Sequence, residues 1–145
     1  MRVLEPHDLE IIAVLRRLPR GLAPPDRESL ARYAHAYLGA FLRARRSRSR
    51  FGFQQPFRQV VEDVAAWEVA FLLRPGGENP AEERLQLDVL LARVVDLETS
   101  TDDELLFFFR RLLRTRGEHG LVAEWKREHP HEGRLLKLFK RLLKG

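Results

Sequence analysis

Apolar side chains recur at three- and four-residue steps along almost all of this chain, and nowhere do they alternate with period two for long enough to make a strand. Between residues 26 and 46, Leu30, Tyr33, Ala34, Tyr37, Leu38 and Phe41 keep this rhythm, which lines one face of a helix. Val60, Val64, Trp67 and Phe71 do so after Pro56, and Leu87, Leu90, Leu91, Val94 and Val95 after Pro80. The expected fold is therefore all-α: a single-domain orthogonal or irregular bundle of six to seven helices spanning residues 1–145. No repeat occurs at the spacing of about 20–50 residues that marks a solenoid.

Proline and glycine set the expected breaks. A first helix runs from about Asp8 to Arg17 and ends at "LPRGLAPP"; Pro56 opens another that stops at "RPGGENP"; Pro80 opens an amphipathic helix of about five turns. In "TSTDDE", Thr101 and Glu104 have capping-box spacing, and Asp102 and Asp103 suit the positive end of a helix. That helix is expected to reach Arg116, with Arg110, Arg111, Arg114 and Arg116 at its negative end. Gly117 and Gly120 are read as a turn, followed by a short helix around Leu121–Glu128 and a last one from about His131 to Leu143, after Pro130. The expected core includes Leu30, Tyr37, Phe41, Val64, Trp67, Phe71, Leu90, Val94, Phe108 and Leu112, with Leu135 and Leu138 from the last helix.

At 145 residues the chain is long enough to bury a core without metal or disulfide support. It has no cysteine, which excludes thiolate catalysis, disulfides and every Cys-containing metal site. The opening MRVLEPHDLE carries acidic residues and a proline where a signal peptide needs an apolar run, and no stretch approaches the roughly 18 apolar residues of a membrane span. No transmembrane segment and a cytoplasmic location are the expectations.

Chemistry-bearing patterns are sparse. In "EHPHE", His129 and His131 flank a proline, which is not the helical i, i+4 spacing of a His-Glu-x-x-His site and fits a helix junction. Ser29, Ser47, Ser49 and Ser100 lack a nucleophile-elbow context, and no phosphate-binding glycine loop is present. Adjacent carboxylates such as Asp102 and Asp103 point about 100° apart on a helix, so they do not converge on a substrate. The expectation is a non-enzymatic protein with no cofactor, no metal and no small-molecule substrate.

Charge is distributed in blocks. Residues 1–58 hold 12 Arg and Lys against 5 Asp and Glu, residues 59–104 hold 3 against 12, and residues 105–145 hold 11 against 4. Either the middle neutralises the ends within the fold, or the ends meet a polyanion. Three surfaces follow. In "RARRSRSRFGF", Arg43, Arg45, Arg46, Arg48 and Arg50 precede Phe51 and Phe53, a combination suited to phosphates and unpaired bases if the rings are exposed, or to a helix end anchored by phenylalanine if they are buried. In "GRLLKLFKRLLKG", Lys137, Lys140 and Lys144 edge an apolar stripe, as in a docked terminal helix, a partner helix or a membrane-surface contact. In "LLFFFRRLLR", Phe107, Phe108 and Phe109 span about 200° of a helix, too wide for one core-facing stripe, so at least one is expected to meet another element or a partner, with Phe107 the candidate partner contact. Residues 102 to 143, an acidic cap followed by aromatic and arginine-rich helices, resemble helical parts of bacterial sigma-type transcription factors; no diagnostic motif is matched and no residue role transfers.

Two functions are thereby expected. The first is a nucleic-acid-associated regulator whose Arg43–Arg50 and Arg110–Arg116 segments contact DNA or RNA phosphates. The second is a helical protein–protein adaptor or self-associating module. A contiguous basic face favours the first; a mixed face with exposed apolar surface favours the second.

Overall fold

In the computed structural model, which describes residues 4–45, 53–76, 84–130 and 141–142, the described chain is helical, with one isolated bridge in place of any strand. Five α-helices are described: α1 (Pro6–Arg17), α2 (Pro24–Ala44), α3 (Phe57–Leu72), α4 (Gln86–Ala92) and α5 (Asp102–Glu128). A single 3₁₀ turn, Leu18–Arg20, follows α1 and ends at Gly21, whose φ of 90° belongs to the left-handed region that glycine enters without strain. Pro24 and Pro25 occupy the first positions of α2, where a missing amide costs nothing, so they open that helix rather than only closing the previous one.

Among the described residues there are five helices rather than six to seven, in part because Gly117 and Gly120 are not a turn. α5 runs through both as one helix of 27 residues. A Cβ on Gly117 would lie 2.9 Å from Leu38 Cδ2, and one on Gly120 would lie 2.6 Å from Val64 Cγ1. These glycines let α2 and α3 approach α5 closely. As a result, Arg110, Arg111, Arg114 and Arg116 sit mid-helix rather than at a negative end. Residues 141–142 are helical, and the remainder of the expected last helix lies outside the described residues.

α4 is likewise shorter than the expected five turns, at seven residues. Leu85, just before it, pairs in antiparallel fashion with Pro75; the Gly76 amide donates to the Arg84 carbonyl at 2.7 Å and the Gln86 amide to that of Arg74 at 2.8 Å. These bonds hold the backbone extended up to the first residue of α4.

Contacts along α5 fix the helix directions. Asp8 meets Arg110 while Arg16 meets Asp102, so α1 runs antiparallel to α5. Arg110 reaches Tyr33 and Glu118 reaches Arg45, so α2 runs parallel to it. Arg116 pairs with Glu68 and Gly120 abuts Val64, so α3 is antiparallel. The main core joins all five helices around Leu15, Leu30, Leu38, Leu72, Leu91 and Phe109. A smaller cluster of Leu42, Val60, Val61 and Val64 closes the other end, with Phe41, Phe53, Phe57 and Leu121 packed against it.

Two expected core residues are on the surface. Trp67 is 53% and Val94 54% exposed. On α3 the buried arc runs through Val60, Val61, Val64, Ala65, Val69 and Leu72, which leaves Trp67 beyond its edge. Val94 lies past the end of α4, where helical periodicity no longer decides orientation. Tyr37, Phe41, Phe71, Leu90, Phe108 and Leu112 are partly buried, whereas Leu135 and Leu138 lie outside the described residues.

Candidate functional site

The first turn of α5 is set by Thr101, whose hydroxyl accepts from the Glu104 amide at 3.2 Å. The reciprocal bond of a capping box does not form, so the Glu104 carboxylate stays free of the cap. From there Asp103, Phe107, Arg110 and Arg114 step along one side of the helix at intervals of four and three. With Tyr37, Glu104 and Leu106 they line a groove of about 590 Å³. A second concavity of about 690 Å³ lies between the 3₁₀ turn and α4; Arg84 and Asp88 on its wall pair with each other at 3.0 Å.

A polar network holds the Arg110 end of the α5 groove. Asp8, buried at the start of α1, accepts from the Arg110 Nη2 at 2.9 Å and from the Tyr33 hydroxyl at 3.1 Å. Arg110 also donates to the Tyr33 oxygen from Nε at 3.1 Å and Nη2 at 3.0 Å, and its guanidinium lies 5.7 Å from the Tyr37 ring centre. Burial pushes the Tyr33 phenol above its ordinary pKa, with Arg110 opposing. For Arg110, burial works against the charge, but Tyr33, Asp8 and Tyr37 outweigh it and hold the guanidinium more firmly protonated. Tyr33 stacks between Tyr37, at 6.5 Å, and Phe109, at 6.0 Å, which fixes both tyrosines against α5.

Above this fixed end the groove carries unfixed groups. Phe107 is 49% exposed and meets Phe108 edge-on at 5.3 Å, while Phe109 is fully buried. The three phenylalanines thus divide into core, boundary and surface. Among the described residues Asp103, Glu104, Arg111 and Arg114 have no ion-pair partner; Arg114 makes one long hydrogen bond, 3.5 Å, to the Tyr37 hydroxyl.

The arginines expected to bind phosphate separate into distinct environments. Arg45 pairs with Glu118 and lies over the Phe41 ring at 5.5 Å. Arg116 pairs with Glu68 at 2.8 Å and covers Phe71 at 4.2 Å, and Arg110 belongs to the network with Asp8. Arg43 and Arg111 are exposed, without an ion-pair partner among the described residues. Arg46, Arg48 and Arg50, together with Phe51, lie outside the described residues, as do Lys137, Lys140 and Lys144. Phe53 is partly buried and packs on the smaller core cluster, 5.9 Å from Phe57, as in the alternative of a helix end anchored by phenylalanine. His129 stacks on Trp125 at 4.8 Å with Nδ1 3.0 Å from the Trp125 carbonyl, which is a helix-end arrangement; His131 and Glu132 lie outside the described residues.

Sequence reasoning passed over Asp8, Tyr33 and Arg16 as site-building residues. Arg16 donates to the Leu97 and Ser100 carbonyls at 2.9 and 2.7 Å and to Asp102 at 2.8 Å, latching the loop before α5 onto α1. The only signal was an acidic residue opening a helix and an arginine near its end, a pattern common to most helices. No helix among the described residues is long and apolar enough to cross a membrane.

Compared with known proteins, the chain matches no family model, no curated protein and no solved structure.

Proposed function

We propose that this protein is a non-enzymatic helical interaction module, with the α5 face centred on Phe107 as its contact surface. The observation that carries this reading is a half-exposed phenylalanine placed between the Asp103 and Glu104 carboxylates and the Arg114 guanidinium, which have no ion-pair partner among the described residues. An exposed aromatic with a charged rim is the anatomy of an interface anchor: the ring supplies apolar area, and the rim supplies orientation. The mixed character of the described surface supports it too, since Arg45, Arg110 and Arg116 are each engaged by a carboxylate of the same chain.

Photo-cross-linking tests this reading. A photoreactive side chain at position 107, irradiated in extract of the source cells, is expected to give discrete, saturable adducts. The same group at Thr115, exposed on the same helix, is expected to give only diffuse labelling. Equal, diffuse labelling from both positions rejects the module.

A second reading, phosphate contact with DNA or RNA, is favoured by the exposure of Arg43 and Arg111 without carboxylate partners among the described residues. Mobility shift with single- and double-stranded DNA and RNA at low salt tests it; no shift with any of them rejects it.

A further inference from the structure

We propose that the partner of the α5 face is a second copy of this chain, docked antiparallel so that the two Phe107 rings meet at a twofold axis. The proposal rests on the interaction reading above and names its occupant. Asp103 and Glu104 stand about one helical turn before Phe107, and Arg110 and Arg111 about one turn after it, with Arg114 a further turn on. A twofold axis through Phe107 reverses this order in the second helix. The acidic turn of each copy then falls level with the arginine turn of the other, about 5–6 Å from the centre at 1.5 Å per residue. An antiparallel self-contact thus places opposite charges together at both ends, whereas a parallel one aligns like with like.

The charges this needs are available. Asp103, Glu104, Arg111 and Arg114 have no ion-pair partner among the described residues, and Arg110 is held in place by Asp8 and Tyr33. From Asp103 to Arg114 the face is about 16 Å long, which buries less than the roughly 1,200–2,000 Å² of a standard stable interface. The dimer is accordingly weak and salt-sensitive, held in register by charge and anchored by the aromatic pair.

Sedimentation equilibrium over a concentration series provides the test, with circular dichroism as the folding control. Wild-type protein is expected to dimerise and to dissociate as salt rises. Asp103→Lys/Glu104→Lys and Arg111→Glu/Arg114→Glu are each expected to self-associate at least about tenfold more weakly, because position 103 of each copy then faces a like charge at position 111 of the other. Mixed in equal amounts, the two variants are expected to associate again. If the lysine variant loses helicity, Asp103→Asn/Glu104→Gln replaces it, with the expectation that its residual dimerisation is insensitive to salt. A mixture of folded variants that stays monomeric overturns the antiparallel arrangement.

Wild-type protein that remains monomeric up to about 1 mM, the weak end of the affinity scale, overturns self-association altogether. That outcome is distinguishable from failure of the module: discrete adducts from position 107 to a different protein uphold the module without the dimer, and diffuse labelling sinks both.

Discussion

The Asp8 carboxylate and the Arg110 guanidinium, 102 residues apart in the chain, meet at 2.9 Å with the Tyr33 hydroxyl bonded to both. This contact joins α1, α2 and α5 at the end of the groove. Asp8 is buried and Arg110 mostly so, and removing either leaves the other short of partners. Asp8→Ala is expected to cost about 2–3 kcal/mol in urea unfolding. The Asp8→Ala/Arg110→Ala double variant is expected to cost clearly less than the two single changes together, a coupling of about 1 kcal/mol or more. Strict additivity contradicts the network.

Tyr33 supplies a pH test. Its folded pKa is raised by burial, so above the unfolded value of about 10 the native state holds a proton that the unfolded state has lost. Stability is therefore complete below about pH 10 and falls as pH rises through the folded pKa. Comparing phenolate absorbance of the wild type with Tyr33→Phe isolates this group. A Tyr33 midpoint above 10 is expected; one at or below 10 means the ring is not enclosed as described.

Gly120→Ala separates a packed helix from a turn. Alanine favours the helix by about 1 kcal/mol, but its methyl group meets Val64, buried and β-branched, at 2.6 Å. Overpacking of about 1–3 kcal/mol outweighs the propensity gain, so the net expectation is a loss of about 1 kcal/mol, read from the shift in melting temperature. Thr115→Ala, at an exposed position of α5, is the control and is expected to be neutral or slightly stabilising. A stabilising Gly120→Ala rules out the close approach of α3 and α5.

Arg16→Ala is expected to lower stability by about 1–2 kcal/mol, since the Leu97 and Ser100 carbonyls lose a fixed donor but gain some access to water. Arg16→Lys is expected to recover only part of the loss, because a single ammonium cannot reproduce the planar fork. Full recovery by lysine assigns the latch to charge alone.

The helical class, the Thr101 cap and the exposure of Phe107 were legible because each is local: periodicity, one hydroxyl and the angular width of three rings decide them. Gly117 and Gly120 were not, because glycine breaks a helix in isolation and permits close approach beside Leu38 or Val64, and only the neighbour says which. Arg110 was read as a phosphate ligand because its partner, Asp8, lies at the other end of the chain. Trp67 was assigned to the core by its spacing from Val64, but the buried arc of α3 is set by where α2 and α5 flank it, and Trp67 falls outside that arc.

Phe107 and Trp67 are nearly equal in exposure, 49% and 53%, which makes the pair its own control for the central claim that two copies of this chain meet through the α5 face. Hydroxyl-radical labelling at rising protein concentration, with oxidation at each ring read by mass spectrometry, tests that claim most directly. The account predicts that Phe107 becomes protected as concentration rises while Trp67 stays reactive, and that added salt restores Phe107. Reactivity of Phe107 that is unchanged throughout, or protection of Trp67 in its place, contradicts it.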